Sequence, residues 1–262
     1  MSAGVRSAAP AAGTLYLVPS TLDLDLPEPR PPLANVLPTG VLQRVASLNH
    51  WVVENAKSAR AFLKRVHEVV PLAQPLQLLD IVELPRPVKG GQPSRPTDLT
   101  PLLGPLLAGH DVGLLSEAGM PAVADPGAAL VALAHARDLV VRPLVGPSSL
   151  LLAIAAAGLN GQSFAFVGYL PVEAAKRSAR LRELEALSRR TGQAQWMIET
   201  PYRNPALFDS LLDTLALTTR VAIACGLTTP HERVHTDTVA GWRGRRVTID
   251  NRLPAVFGLL AT

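Results

Sequence analysis

The chain has 262 residues, of which 48% are hydrophobic and 18% charged, so it is too apolar for a disordered protein and long enough for one large domain or two small ones. Its single cysteine, Cys225, excludes an internal disulfide framework and a multi-cysteine metal site, and it indicates a reducing compartment. The net charge is +4, and arginine supplies 21 of the 25 basic residues. Such a balance suits a phosphate-rich partner, although the codon usage of a GC-rich genome explains it more simply.

The first part of the chain predicts short strands and helices separated by two proline-rich loops. Residues 1–12 are interpreted as a loose tail that lacks the apolar core of a signal peptide. Thr39 is expected to cap the first helix. Strands that alternate with helices beyond residue 112 predict a parallel α/β layer. Strands are predicted at 14–18, 51–54, 112–115 and 139–144, helices at 41–48, 58–69, 128–136 and 148–157, and loops at 19–38 and 85–105.

The second part predicts a mixed α/β unit. We place the domain boundary near 158–163, which gives an N-terminal domain at 13–160 and a C-terminal domain at 161–262. The longest strongly apolar run, 150–159, is shorter than the ~20 residues of a membrane-spanning helix, so we expect a soluble, cytoplasmic protein. Strands are predicted at 164–167, 195–199, 221–225, 236–240 and 255–260, and helices at 173–190 and 205–215.

The segment His231–His235 matches the H-E-x-x-H pattern of zinc proteases. Those enzymes need the pattern on a helix, because only a helix places the two imidazoles on one face. Here Thr228-Thr229-Pro230 precedes the segment and a β-branched run follows it, which favours extended backbone. We therefore expect no metal site at these histidines. Cys225 lies in an apolar strand and is interpreted as a core residue, not a nucleophile.

Two glycine-bearing turns carry more information, because each follows a predicted strand directly. They are Ser116–Gly127, after the strand at 112–115, and Val145–Ser149, after the strand at 139–144. Loops at the carboxyl ends of parallel strands are where open α/β sheets bind ligands. Gly119 lets the backbone approach a ligand closely, Ser148 can cap the next helix, and Asp125 can cap the helix that starts near Gly127.

Taken together, these segments resemble the tetrapyrrole (corrin/porphyrin) methylase superfamily. Within it they are most similar to the subgroup that methylates a ribose 2′-oxygen of small-subunit ribosomal RNA. Several motifs recur in order over residues 13–245, and the resemblance also accounts for His231 and Glu232 without zinc. The matching segments are Gly13–Pro19, Leu114–Pro121, Asp125–Gly127, Pro143–Ser149, Phe164–Pro171, Ile198–Arg203 and Leu227–Glu232.

The resemblance implies an S-adenosylmethionine-dependent methyltransferase of two α/β domains, with the cofactor in the cleft between them, in a homodimer. It implies no metal and no membrane. The cofactor-binding residues that it implies are Ser116, Ala118, Gly119, Met120, Val123, Ala124, Ser148, Ser149, Ile198, Glu199, Leu227 and Thr228.

Three departures from the subgroup concern the substrate. The loop after Pro19 reads Ser20–Leu24 where the subgroup has I-G-N-L, and Val53–Lys57 stands where it has A-E-D-T-R. The chain also ends near its last strand, without the C-terminal helical segment of the ribosomal RNA enzymes. Glu54 and Lys57 are the candidate catalytic residues; as strand-end charges they could equally be solvated.

We therefore predict a methyltransferase with RNA as a possible substrate and a role in rRNA processing. Two alternatives stay open at this point. One is a tetrapyrrole C-methyltransferase, which shares the fold but needs a wide apolar cleft. The other is a non-catalytic protein that binds S-adenosylmethionine or RNA. Basic residues at 176–190 favour an RNA partner, unless they form a solvated helix face with the glutamates beside them.

Overall fold

The computed structural model describes residues 11–23, 30–85, 97–245 and 247–262. The predicted tail lies outside these ranges up to residue 10, as do parts of both proline-rich loops. The chain forms two compact units, and the boundary between them falls between Pro147 and Ser148. The helix that begins after this boundary belongs to the second unit because it packs on a strand of that unit. The predicted domain limits, 13–160 and 161–262, stay a prediction.

The first unit is built on a parallel sheet of five strands in the order β3-β2-β4-β1-β5. Every residue of the central strand β4 is buried, as expected for a parallel strand covered on both faces. The strands are β1 at Thr14–Val18, β2 at His50–Val53, β3 at Asp80–Glu83, β4 at Val112–Leu115 and β5 at Val140–Pro143.

The described residues of this unit form four α-helices, and α2 shows why they form where they do. The Asn55 side chain accepts hydrogen bonds from the backbone N–H groups of Lys57 and Ser58, at 2.9 and 3.3 Å, and so caps the helix. The buried face of α2 carries apolar residues at helical spacing. The helices are α1 at Thr39–Ser47, α2 at Ala56–Val69, α3 at Gly104–Leu107 and α4 at Ala128–His135.

A buried ion pair ties the loop after β1 to α2. Both guanidinium nitrogens of Arg65 contact the carboxylate of Asp23, at 3.2 and 3.1 Å, and one of them also donates to the Pro31 carbonyl at 2.9 Å. Asp23 is only 3% exposed. A carboxylate at this depth depends on its partner, because water cannot replace the guanidinium.

Replacing Arg65 by alanine should therefore lower the free energy of unfolding by about 3 kcal/mol, since it leaves Asp23 buried and unpaired. Urea denaturation measures the change. Arg60→Ala is the matched control, because Arg60 lies exposed on the same helix and, among the residues that the structure describes, its side chain bonds only to the Ala56 carbonyl, at 3.4 Å. The double variant Asp23→Ala/Arg65→Ala should recover part of the loss. Equal effects of Arg65→Ala and Arg60→Ala would contradict the assignment.

The second unit holds a mixed sheet in the order β6-β7-β10-β8-β9, in which only β6 and β7 pair in parallel. Its core includes an edge-to-face contact between Phe208 and Trp242, with ring centroids 5.3 Å apart. Its elements are α5 at Ser149–Ala156, β6 at Phe164–Tyr169, α6 at Ala174–Thr191, β7 at Ala194–Glu199, α7 at Asn204–Thr214, β8 at Arg220–Cys225, β9 at Arg233–Thr238, α8 at Val239–Arg243 and β10 at Ala255–Leu260.

The predicted α/β class is confirmed, and several local features differ from the prediction. Pro38, not Thr39, occupies the cap position of α1. The predicted strand at 236–240 runs from 233 to 238 instead, because the Thr238 hydroxyl accepts from the Gly241 N–H at 3.0 Å and starts α8. The strand β3 was not predicted, since its four residues are mostly exposed and have no apolar pattern. Helical turns at 100–107 replace the end of the second predicted loop.

Candidate functional site

Three neighbouring parallel strands, β1, β2 and β4, end at the same edge of the first sheet, and hydrogen bonds join the loops that follow them. The Ser20 N–H donates to the Gly119 carbonyl at 2.8 Å, and the Glu54 N–H donates to the Leu115 carbonyl at 3.0 Å. The Glu117 N–H donates in turn to Oε2 of Glu54, at 3.1 Å. The Glu54 carboxylate is therefore held beside the turn that follows β4. Its Oε1 accepts no hydrogen bond from any residue that the structure describes.

The turn after β4 has unusual backbone geometry. Gly119 has a φ of +65°, and the non-glycine residues Ala122 and Ala124 have φ values of +66° and +63°. Left-handed backbone is uncommon for residues with a side chain, and such strain concentrates at ligand sites and switches. A Cβ added to Gly119 would lie 3.4 Å from Cδ2 of Leu22 and 3.8 Å from the Pro147 carbonyl oxygen. Gly119 is therefore buried against the loop after β1 and the loop after β5, within the turn where the resemblance implies the cofactor.

The turn also carries a carboxyl group that titrates close to neutral pH. Burial, first, and the nearby Glu54 carboxylate together raise the pKa of Asp125 from 3.8 to about 6, and a hydrogen bond with Ser116 opposes part of this rise. The prediction that Asp125 caps α4 is wrong, because Gly127 occupies the cap position and no side chain caps the helix. The carboxylates of Asp125 and Glu54 together make this edge attractive to a cation.

Asp125 predicts a pH dependence with a definite sign. Because the pKa is raised in the folded state only, the native protein holds a proton that the unfolded chain loses between pH 3.8 and about 6. The free energy of unfolding should fall as the pH rises through that window and stay lower above it. Asp125→Asn should remove this component and raise stability at pH 7 by about 1 kcal/mol, a value reduced by solvent screening at a half-buried site.

Thermal melts between pH 4 and 8 measure this difference between the two proteins. Asp209→Asn is the control, because Asp209 is an exposed aspartate on α7. Identical pH profiles for the wild type and Asp125→Asn would show that the pKa of the Asp125 carboxyl is not raised in the folded state.

Most of the predicted site residues of the first unit lie together in this loop cluster. Ser116 is buried, and its hydroxyl donates to the Ala118 carbonyl at 3.3 Å. Met120 is half-buried and Val123 is 46% exposed. Lys57 lies exposed on the first turn of α2, and no ion pair joins it to Glu54 or to any other described residue. The structure thus connects Glu54 to the turn and leaves Lys57 at its margin.

The predicted site residues of the second unit follow strand ends and a helix start. Ser148 occupies the cap position of α5, but its hydroxyl makes no capping bond, so the predicted cap is wrong; Ser149 is the first residue of the helix. Glu199, preceded by Ile198 at the end of β7, is 7% exposed and pairs with Arg203 at 2.9 Å.

The loop after β8 is held by Glu232, the last residue of the matching segment Leu227–Glu232. Leu227 is buried, and Thr228 has a φ of +66°. The Thr228 N–H donates to the Glu232 carboxylate at 2.7 Å, which fixes this strained backbone. The Glu232 side chain therefore has a local structural role, and the sequence signal for it is the spacing of four residues.

The H-E-x-x-H segment does not form a helix. His231 lies in a turn and His235 in β9, where its ring packs edge-on against Trp242 at 4.9 Å. Within the described ranges, no group of three or more His, Cys, Asp or Glu residues is placed to hold a metal ion. In the same residues, no helix is both long and apolar enough to cross a bilayer.

Comparisons with known proteins identify the family and the fold. Residues 102–241 match the Tetrapyrrole (Corrin/Porphyrin) Methylases. The chain is 35% identical to the ribosomal RNA small subunit methyltransferase I of Mesorhizobium japonicum, over 53% of this chain and 46% of that protein. It is 34% identical to the protein of that name from Coprothermobacter proteolyticus, over 61% of this chain and 70% of the relative.

The first of these alignments spans less than half of the relative's length. A solved structure, the methyltransferase CobJ, has the same fold, with a TM-score of 0.54 and 16% identity over 96% of this chain and 100% of CobJ.

Proposed function

We infer the activity of this chain from one premise: it belongs to the tetrapyrrole (corrin/porphyrin) methylases. We propose that it transfers a methyl group from S-adenosylmethionine to a ribose 2′-oxygen of small-subunit ribosomal RNA. The observation that carries this proposal is the name shared by its curated relatives, ribosomal RNA small subunit methyltransferase I. We also propose a homodimer and a cytoplasmic location, as the resemblance implies.

The loop cluster of the first unit fits the proposed cofactor. S-adenosylmethionine supplies an electrophilic methyl group and carries positive charge on its sulfonium and ammonium groups. The turn after β4 has left-handed backbone at Gly119, Ala122 and Ala124, a geometry that concentrates at ligand sites, and the Glu54 and Asp125 carboxylates beside it provide the opposite charge. Ala118, Met120 and Val123 would contact the cofactor beside them. Contacts from Ser148, Ser149, Ile198, Glu199, Leu227 and Thr228 stay predictions from the resemblance.

Glu54 is the residue that we propose to handle the proton. A ribose hydroxyl is a weak nucleophile, and a carboxylate that takes its proton during the reaction strengthens it. Because Oε2 of Glu54 is fixed by the Glu117 N–H, Oε1 is the oxygen left to accept that proton. Lys57, exposed one turn further along, would contact a phosphate of the RNA.

A methylation assay with labelled S-adenosylmethionine tests the proposal. Small-subunit ribosomal RNA from cells that lack this protein should take up label, and digestion should place the label on a ribose 2′-oxygen. A tetrapyrrole extract and large-subunit RNA serve as the alternative acceptors. Label on a tetrapyrrole carbon would favour the C-methyltransferase instead. Cofactor binding with no label on any acceptor would indicate a non-catalytic protein.

A further inference from the structure

A cavity of about 780 Å³ opens on one face of the second unit's sheet, beside the edge strand β9. Its wall is formed by Ile223 and Cys225 of β8, by His235 of β9 and by Trp242 of α8, and residues 247–253 close one side. This volume lies within the range of small-molecule sites. None of the residues assigned above to the cofactor or to proton transfer lines this space, which we call the β9 cavity.

The alternation of β9 explains why polar and charged side chains collect in the β9 cavity. Residues 233, 235 and 237 point to one face of the strand, while the Thr236 hydroxyl on the other face donates to the Ala157 carbonyl at 2.7 Å. The register pairs Ile223 with His235 and Cys225 with Arg233. Ile223 and Cys225 of β8 therefore lie directly beside the imidazole of His235 and the guanidinium-bearing Arg233 of β9.

The charge of the β9 cavity is positive. Three arginines and a single aspartate line it. Arg252 pairs with Asp250 at 3.2 Å, and Arg245 pairs with Asp237 at 3.0 Å. Arg233 is exposed and makes no ion pair with any residue in the described ranges. Its guanidinium is therefore the group left to bind an anion, and arginine suits phosphate because its planar fork can make two parallel hydrogen bonds.

The same cavity offers surfaces for a flat ring. His231 and His235 are both exposed at its wall, and imidazole rings and guanidinium planes are groups on which unpaired RNA bases stack. A site that combines an unpaired arginine, exposed rings and an apolar wall fits a nucleotide better than it fits inorganic phosphate, which would use the charge alone.

We propose that the β9 cavity binds one unpaired nucleotide of an RNA chain, with its phosphate on Arg233 and its base against the histidine rings. The inference rests on the proposed function, because RNA is the substrate proposed for this chain. It adds an RNA contact that neither the resemblance nor the relatives' names assign.

Cys225 makes the proposal testable without any methylation. It is the only cysteine of the chain, it is half-exposed and it lines the cavity. A short single-stranded RNA should slow alkylation of this thiol by iodoacetamide about tenfold when present at about ten times its dissociation constant, because only the unoccupied fraction reacts. The labelling rate is followed by mass spectrometry of the intact protein.

Arg233→Glu should abolish the protection, and Arg233→Lys should keep part of it. Each variant is compared with and without RNA, because burial raises the pKa of Cys225 and the Arg233 charge offsets part of that rise, so replacing Arg233 changes the intrinsic labelling rate. Arg137→Glu is the control, since Arg137 is an exposed arginine of the first unit outside the site residues. Equal thermal melts for the two glutamate variants exclude a folding defect.

Three results would overturn the proposal: no protection of Cys225 by RNA, undiminished protection in Arg233→Glu, or equal protection by a free mononucleotide or a polyphosphate. These outcomes are independent of the methylation assay. Methylation without protection of Cys225 would contradict RNA binding in the β9 cavity and leave the proposed function standing. Protection of Cys225 without methylation would support RNA binding in the cavity and contradict the proposed function.

Discussion

Glu54→Gln should lower the rate of RNA methylation by about 10²- to 10⁴-fold, the usual contribution of a positioned proton acceptor. Glutamine has nearly the same shape and can still accept the hydrogen bond from the Glu117 N–H that holds residue 54 at the end of β2. What it loses is the ability to take a proton at Oε1. The fold and the affinity for S-adenosylmethionine should therefore change far less than the rate.

Single-turnover methylation with labelled cofactor measures this rate directly. Glu83→Gln is the matched control, because Glu83 ends the neighbouring strand β3 and its carboxylate accepts from the Ala56 N–H at 2.7 Å. The same chemical change at that position should leave the rate within a few-fold of the wild type. If Glu54→Gln methylates as fast as Glu83→Gln, Glu54 does not accept the proton in the reaction.

Gly119→Val should abolish the binding of S-adenosylmethionine. The residue has a φ of +65°, a conformation that β-branched side chains strongly disfavour, and an added Cβ would lie 3.4 Å from Cδ2 of Leu22 and 3.8 Å from the Pro147 carbonyl oxygen, so the larger side chain should displace the turn that faces the proposed cofactor. Isothermal titration calorimetry should detect no binding, and the thermal stabilisation of the wild type by S-adenosylmethionine should vanish.

Strain alone must be separated from blocked binding, and the chain offers a control for this. Gly192 also has a φ of +65°, it ends α6, and an added Cβ there would meet nothing within 4 Å. Gly192→Val has the same unfavourable φ without the added contacts, so it should lower the melting temperature by less than Gly119→Val does and keep its full stabilisation by S-adenosylmethionine. If Gly119→Val still binds S-adenosylmethionine, the cofactor does not bind at the turn after β4.

The α/β class and most elements could be predicted from the sequence, because local apolar patterns and turn residues decide them. The strand Val112–Leu115 was predicted with its exact bounds, since four buried residues between turn signals leave little choice. The sequence also indicated the turn at Ser116–Gly127 that we propose to bind the cofactor, because glycine and proline follow a strand directly there. The family followed from motifs that recur in order along the chain.

Tertiary structure decided which side chains meet. Asp23 and Arg65 form a buried pair although 42 residues separate them, and nothing in either local sequence distinguishes them from surface charges. Asp125 looked like a helix cap, but it faces Ser116 and feels the charge of Glu54. The strand β3 was missed because it is defined by pairing with β2, not by its own exposed residues.

The same division applies to the two candidate sites. Glu54 could be named from its motif, but its contact with the Glu117 N–H depends on the pairing of β2 with β4, which joins residues far apart in the chain. The β9 cavity arises from the register that sets Arg233 beside Cys225 and from the helix α8 that replaces part of a predicted strand. Local sequence therefore determined the elements and their turns, while strand order and register, which depend on long-range pairing and burial, determined the chemistry at their ends.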